Sequence, residues 1–235
     1  MTRARWGLLL LVAGALAIAA FAFSRPRPAQ RAAQKPTLLF LTSLPLVFGE
    51  QFSLQESGSP ALKALQSRYR VLPISVTDAR DLSKGRVLLM AQPLAQTAEN
   101  LVALDSWVRR GGRVLLLADP LLEWPSERPL GDPLRPSAMF MDTGLLQHWG
   151  VRLDGPDRRG PQVRRLGGEE ILTVSPGSLK GTCQTAGDGL VAHCRVGQGR
   201  ATIVADADLL DISHLGERGA NNLDALLAEL ADLQR

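Results

Sequence analysis

Three aspartates follow predicted strands, at positions where side chains of open α/β proteins commonly perform chemistry. Asp119 comes directly after the apolar run 113–118, and Asp206 and Asp208 follow the apolar run 201–205. Because the carboxyl ends of parallel strands meet at one edge of a sheet, the three carboxylates can converge there. Carboxylate oxygens are good ligands for a divalent cation, but aspartates at such positions also begin turns and cap loops. Both interpretations are open.

Three further polar residues complete a predicted ligand-binding set. Ser43 follows the predicted strand 37–41 and Gln92 follows the predicted strand 86–91, whereas Asn221 caps the last predicted helix. The full predicted set comprises Ser43, Gln92, Asp119, Asp206, Asp208 and Asn221. We assign no metal and no cofactor to it.

Nucleophilic chemistry is hard to assemble from this sequence. There is no G-x-S-x-G motif, and no cysteine follows a central strand. The pair Gly111-Gly112 precedes a predicted strand rather than a helix, which is the wrong order for a dinucleotide-binding loop. The histidines are His148, His193 and His214, and none shares a face with a thiol. The sequence therefore predicts that the chain is not an enzyme.

The two cysteines, Cys183 and Cys194, flank the turn signal Gly187-Asp188-Gly189. In a β-hairpin their sulfurs would lie on facing strands, close enough to form a disulfide. An even, locally paired cysteine count favours an oxidising compartment. The alternative is two unrelated small hydrophobic residues in a reduced domain.

The formal charge of +4 comes from the amino-terminal segment. Residues 1–35 contain six of the 27 basic side chains and no acidic one, which leaves 21 basic and 23 acidic groups in residues 36–235. The net charge of that part is −2, so the electrostatic signature of a nucleic-acid-binding protein is missing and we expect no nucleic-acid partner.

Residues 6–23 form an uninterrupted apolar run of 18 residues, long enough to approach the roughly 30 Å of a bilayer core. We expect a retained transmembrane anchor over 1–23, with a cleaved signal peptide as the alternative. Residues 24–36 then form a linker, and 37–235 the α/β domain. A positive-inside count of the flanking basic residues favours a domain in the cytoplasm, whereas the cysteine pair favours an oxidising compartment. We expect an inner-membrane, single-pass protein with its soluble domain in the periplasm.

The rest of the chain alternates between strand-like and helix-like segments. Predicted strands cover 37–41, 70–74, 86–91, 113–118 and 201–205, and predicted helices cover 60–69, 97–110, 141–149 and 221–233. Short β-like pieces between 151 and 196 predict an antiparallel, β-rich insertion. This pattern predicts a three-layer α/β domain with a mostly parallel sheet.

Three stretches together resemble a known family: LVALDSWVRRGGRVLLLADP at 101–120, ATIVADADLL at 201–210 and GANNL at 219–223. They resemble the GldG-type auxiliary domain of ABC transport systems, which is related to DUF4350 proteins and to the amino-terminal domain of intraflagellar transport protein 52. The resemblance covers about 37–235. It implies a class I glutamine amidotransferase-like (flavodoxin-like) fold without the catalytic cysteine, since Ala118-Asp119-Pro120 stands at the nucleophile position. It also implies an ABC permease and its ATPase as partners.

Three functions follow from these observations. The first is a non-catalytic, membrane-anchored, extracytoplasmic accessory subunit of an ABC-type transport system, acting by binding or scaffolding. The alternative is a metal- or carbohydrate-directed hydrolase of the envelope that uses Asp119, Asp206 and His214. The third is a periplasmic ligand-binding module in which residues 155–187 form a lid over the strand ends, a function that an apolar pocket with a polar rim would favour.

Overall fold

The computed structural model describes residues 35–47, 49 and 58–235. The strands are β1 Thr37–Thr42, β2 Arg70–Pro73, β3 Val87–Ala91, β4 Arg113–Leu117, β5 Val151–Asp154, β6 Pro161–Leu166, β7 Glu169–Val174, β8 Ser178–Gly181, β9 Gln184–Ala186, β10 Val191–Val196 and β11 Gly199–Val204. The α-helices are α1 Pro60–Arg68, α2 Ala79–Leu82, α3 Ala98–Arg109, α4 Leu145–His148, α5 Ile212–Leu215 and α6 Asn222–Leu233. Single 3₁₀ turns cover Asp208–Leu210 and Gly216–Gly219.

A seven-stranded sheet in the order β2-β1-β3-β4-β11-β10-β9 forms the centre of the domain. The first five strands in that order are parallel to their neighbours, and β10 and β9 continue the sheet in the antiparallel sense. Two smaller antiparallel ladders, β5 with β8 and β6 with β7, lie outside this sheet. Strands β4 and β11 are therefore neighbours although more than 80 residues separate them in the chain.

Helices cover both faces of the sheet because its central strands are apolar on both sides. All five residues of β3 are buried, as expected of a strand with both faces covered. Helix α6 packs Leu226 and Leu230 against one face, and α3 packs Leu104 and Val108 against the other. Each helix thus presents one apolar stripe to the sheet.

The turn between α3 and β4 requires glycine at two consecutive positions. Gly111 has φ +102°, in the left-handed region that ends many helices. A Cβ on Gly112 would lie 2.3 Å from the ring of Trp107, so no larger residue fits there. This tight turn determines where β4 begins, and the position of β4 in turn determines where Asp119 lies after its carboxyl end.

The segment 151–196 does not form the single insertion that the sequence predicts. Strands β9 and β10 join the central sheet, whereas β5 to β8 build two separate ladders. The prediction of a flavodoxin-like sheet is wrong in this respect, because the observed sheet ends in the antiparallel hairpin of β9 and β10. Period-2 patterns show which residues are buried but not which sheet a strand enters, so the sequence could not separate these cases.

The described residues contain no helix that is both long and apolar enough to cross a membrane. The predicted anchor at 1–23 lies outside the described residues, as does the linker apart from residues 35 and 36. The predicted transmembrane helix, and the inner-membrane, periplasm-facing location that depends on it, therefore have no support in the described residues.

Candidate functional site

Asp119 joins the loops that follow β4 and β11. Its Oδ2 accepts hydrogen bonds from the backbone N–H groups of Ala207 at 2.8 Å and Asp208 at 3.4 Å, and its Oδ1 accepts one from Leu121 at 2.8 Å. The side chain is fully buried. Because β4 and β11 are adjacent and parallel, the residues after their carboxyl ends meet at this point.

Asp206 is fully buried beside it and holds two other segments. Its Oδ1 accepts from the backbone N–H of Leu209 at 2.7 Å, which closes the 3₁₀ turn, and its Oδ2 accepts from that of Val174 at 3.0 Å, at the end of β7. Both oxygens of this carboxyl group are thus occupied by backbone donors.

Asp208 is 3% exposed. It differs from Asp119 and Asp206 because only one of its two carboxyl oxygens accepts a hydrogen bond from a described residue. Its Oδ2 accepts from the backbone N–H of Glu123 at 2.8 Å, and its other oxygen has no hydrogen bond to any described residue. The Glu123 side chain is exposed and accepts a hydrogen bond from the hydroxyl of buried Ser175. Beyond the effect of burial, the Glu123 carboxyl group is near enough to Asp208 for its charge to contribute to the raised pKa of Asp208.

Burial raises the pKa of all three aspartates. It raises the pKa of Asp208 to about 8, with a further contribution from the charge of Asp119. Burial raises the pKa of Asp119 to about 6 against the opposing effect of its backbone hydrogen bonds. Burial followed by the charges of Asp119 and Asp208 raises the pKa of Asp206 well above its usual range. Asp208 is consequently protonated at neutral pH.

Two more of the predicted residues reach this site through the backbone, and one does not. The buried Gln92 side chain accepts from the N–H of Asp119 at 3.0 Å and donates to the carbonyl oxygens of Asp119 and Ser137 at 3.2 and 3.1 Å. The hydroxyl of Ser43 donates to the carbonyl of Gln92. Asn221 is exposed and donates only to a carbonyl oxygen of β7 at 3.4 Å, away from the aspartates.

The neighbour of Asn221, Asn222, is the residue that sequence reasoning missed. It is fully buried, and its Oδ1 accepts from the N–H of Leu172 at 2.9 Å. Its Nδ2 donates to the carbonyls of Leu172 at 2.8 Å and Leu209 at 2.9 Å. Asn221 occupies the predicted N-cap position of α6, but its side chain makes no capping hydrogen bond. The adjacent asparagines look alike in sequence, and only burial tells them apart.

The structure joins Cys183 and Cys194 in a disulfide. The register of the hairpin explains it: Gln184 lies opposite His193 in the ladder of β9 and β10, which places the two cysteines opposite each other one position further along. The bridge closes a loop that contains the turn at Gly187.

No group of three His, Cys, Asp or Glu side chains in residues 35–47, 49 and 58–235 is arranged to hold a metal ion. The oxygens of Asp119 and Asp206 face backbone donors instead. His214 pairs with Asp211, its Nδ1 lying 2.8 Å from the carboxylate, and does not join the three aspartates. The metal-directed form of the predicted hydrolase therefore has no support in the described part of the chain.

A cleft of about 580 Å³ lies beside Pro120, close to the carboxyl end of β4. Its lining is mainly apolar, with a few polar side chains among the lining residues. Two of these, Arg152 and Lys180, are both paired with Asp154 at 2.9 Å. The residues that characterise the cleft are Met139, Phe140, Asp142, Gln147, Arg152 and Lys180. A mainly apolar lining with a few polar groups is typical of small-molecule sites.

No family model matches the sequence, and no curated protein matches it. Solved structures do resemble it. An exo-β-1,4-mannosidase from an Opitutaceae bacterium matches 87% of this chain with a TM-score of 0.51 at 14% identity. A β-galactosidase from Bacillus circulans matches 85% with a TM-score of 0.51 at 14% identity. A cytoplasmic protein from Salmonella typhimurium matches 83% of this chain and 98% of its own length, with a TM-score of 0.53 at 10% identity.

The chain spans only about a third of the two glycosidases, 37% and 31% of their lengths. At these identities the likeness concerns the fold. It corrects two predictions. The described domain is similar in fold to part of two glycoside hydrolases, which contradicts the predicted amidotransferase-like (flavodoxin-like) class. The prediction that the chain is not an enzyme is also contradicted, since the chains that contain the similar part are enzymes.

Proposed function

We propose that the chain is a carbohydrate-directed hydrolase in which Asp208 acts as the general acid and Glu123 as the second carboxyl group. The observation that carries this proposal is the raised pKa of Asp208, about 8, next to an exposed glutamate. Glycoside hydrolysis generally uses a pair of carboxyl groups, one of which is kept protonated and acts as the general acid. The fold likeness to a mannosidase and a β-galactosidase supports the choice of a carbohydrate substrate.

The reaction would follow from these two groups. Protonated Asp208 donates its proton to the glycosidic oxygen, and the bond between that oxygen and the anomeric carbon breaks. A water molecule attacks the anomeric carbon while the Glu123 carboxylate accepts the proton of that water. One water is consumed, and the proton passes back from Glu123 to Asp208 through solvent to restore the enzyme.

The burial of Asp208 sets a condition on this mechanism. Only 3% of the residue is exposed, and its Oδ2 accepts a hydrogen bond from the backbone N–H of Glu123. Substrate therefore reaches the acid only when the segment that carries Glu123 moves aside. Residues 118–144, all of them described, contain no helix or strand, so the segment can move without breaking a helix or a strand ladder.

Release of nitrophenol from nitrophenyl β-mannoside and β-galactoside tests the proposal. We expect D208N and E123Q each to lower the rate by about 10²-fold or more. Asn at 208 can still accept the hydrogen bond from Glu123, so the fold is kept. The matched control is D157N, an exposed carboxylate outside the site. Equal rates in D208N and D157N, or no release by the natural chain, would rule out this function.

The cleft beside Pro120 supports a second candidate, the binding of a sugar by stacking on Phe140 with the polar side chains of the lining holding its hydroxyl groups. Calorimetric titration with mannose and galactose oligosaccharides tests it. F140A should weaken binding about tenfold, as the loss of an aromatic contact of roughly 1.4 kcal/mol would. Unchanged affinity in F140A would exclude the cleft as the sugar site.

The resemblance to GldG-type auxiliary domains adds a proposal about partners, an ABC permease and its ATPase. The supporting residues are the stretches 101–120, 201–210 and 219–223. Co-purification of the full chain in mild detergent tests it. Recovery of permease and ATPase subunits with the chain is expected, and recovery of the chain alone under every condition would contradict it.

A further inference from the structure

A second pocket lies at the end of the sheet opposite the three aspartates, where strand β11 begins and helix α6 ends. Its volume is about 390 Å³. It has no part in the proposed hydrolysis. The side chains that characterise it are Gln184, His193, Arg195, Arg200, Thr202 and Asp232.

Three arginines stand in one row across the strands at this edge. Arg195 on β10 lies opposite Arg200 on β11, which in turn lies opposite Arg113 on β4. Like charges directly opposite each other destabilise a sheet. Arg113 donates to the carbonyl oxygen of Leu233 at 2.6 Å and so stabilises the end of α6. Among the described residues, neither Arg195 nor Arg200 has an ion pair or a side-chain hydrogen bond, so nothing in that part of the chain compensates their repulsion.

Thr202 provides an independent observation. It is 3% exposed and lines this pocket, yet its hydroxyl group has no hydrogen-bond partner among the described residues. Buried hydroxyl groups nearly always have a partner, so one that faces a pocket without one marks a position for a ligand atom. The alternation of β11 places Thr202 and Arg200 on the same face of the sheet.

His193 lies opposite Thr202 in the ladder and on the same face. Its Nε2 is 3.2 Å from the Oε2 of Glu229, and this hydrogen bond raises the pKa of His193. Asp232 also lines the pocket, and its carboxylate is 3.5 Å from the guanidinium of Arg235. Two arginines without acidic partners therefore dominate the charge of the pocket.

We propose that this pocket binds a phosphoryl oxyanion, either free phosphate or a phosphate ester, through the guanidinium groups of Arg195 and Arg200 and the hydroxyl of Thr202. An arginine fork matches two oxygens of a phosphate and donates to both. The bound anion neutralises the repulsion between the two arginines and gives the Thr202 hydroxyl its missing partner.

Calorimetric titration of the full chain with inorganic phosphate, at low ionic strength, tests this site. We expect saturable one-to-one binding. R200Q should weaken it at least tenfold, and T202V about tenfold, as the loss of a hydrogen bond to a charged group does. A parallel titration with glucose 1-phosphate distinguishes the two sources, because a phosphate ester as the natural ligand requires tighter binding than free phosphate.

Two comparisons separate this site from general charge effects and from misfolding. R159Q removes the same charge from an exposed position outside the pocket and should leave phosphate binding unchanged. T202V should unfold at the same or a higher temperature without phosphate, because it removes a buried hydroxyl that has no partner. Absence of phosphate binding in the natural chain, or equal weakening by R159Q and R200Q, would overturn the proposal.

Discussion

The D208N substitution should make the protein more stable at neutral pH. Asp208 is buried with one hydrogen bond, from the backbone N–H of Glu123, which an asparagine oxygen can also accept. Burial raises the pKa of this carboxyl group from 3.8 to about 8. The folded protein therefore binds a proton that the unfolded chain releases above pH 4, and its free energy of unfolding falls as the pH rises from about 4 to about 8.

The size of the effect follows from this difference in proton binding. Each pH unit above 3.8 lowers the free energy of unfolding by about 1.4 kcal/mol, so the loss is about 4 kcal/mol at pH 7. The asparagine that replaces Asp208 has a buried NH₂ group without an acceptor, which costs about 1–3 kcal/mol. D208N should therefore be more stable than the natural chain by about 1–3 kcal/mol at pH 7. At pH 5, where the loss is only about 1.6 kcal/mol, the gain should vanish or reverse.

Urea denaturation at pH 5, 7 and 9 measures these differences. The natural chain should lose stability between pH 5 and pH 8 more steeply than D208N, and the two curves should run parallel above pH 8. D157N, an exposed carboxylate, should follow the natural chain at every pH. A D208N protein that is less stable at pH 7, or that has the same pH dependence as the natural chain, would refute the protonated state of Asp208. Gained stability together with lost activity would be typical of a strained functional group.

Three further predictions concern the framework around the site. N222A should lower the free energy of unfolding by about 3 kcal/mol, because it leaves buried backbone groups without partners, whereas N221A should change it by less than about 0.5 kcal/mol in the same urea titration. The double variant C183S/C194S should lose up to about 3 kcal/mol, the chain-entropy value for so short a loop, with the reduced natural chain as its control; no loss would show that the bridge does not stabilise the hairpin. G199A should lower the melting temperature strongly, since its Cβ would lie 2.0 Å from a backbone oxygen of α3; an unchanged melting temperature would contradict that packing.

The strand ends were predictable because they depend on local pattern. The apolar runs before Asp119 and Asp206 are continuous, and each strand ends within one residue of its predicted limit. Once β4 and β11 are known to be parallel, the meeting of these two aspartates follows from the geometry of the sheet. The pattern does not show how many backbone N–H groups donate to each carboxyl group. This number distinguishes Asp208, which accepts one such hydrogen bond, from Asp119 and Asp206, which accept more.

The remaining parts of the site depend on contacts between distant segments. Glu123 and Ser175 are 52 residues apart in the chain, and no local sequence pattern predicts that the two side chains meet. Strands β9 and β10, the last two strands at one side of the sheet, show the same limit, since their alternation suits an insertion as well as the central sheet. Burial and sheet membership are properties of the whole fold and cannot be read from single segments.

The protonation state of Asp208 is the property on which the proposed hydrolysis depends. A carbon-13 NMR titration of the side-chain carboxyl groups, with the Asp208 signal identified by its absence in D208N, measures it directly. We predict a midpoint near pH 8 for this signal. A midpoint near pH 4, the ordinary value for an exposed aspartate, would contradict the assignment of Asp208 as a general acid.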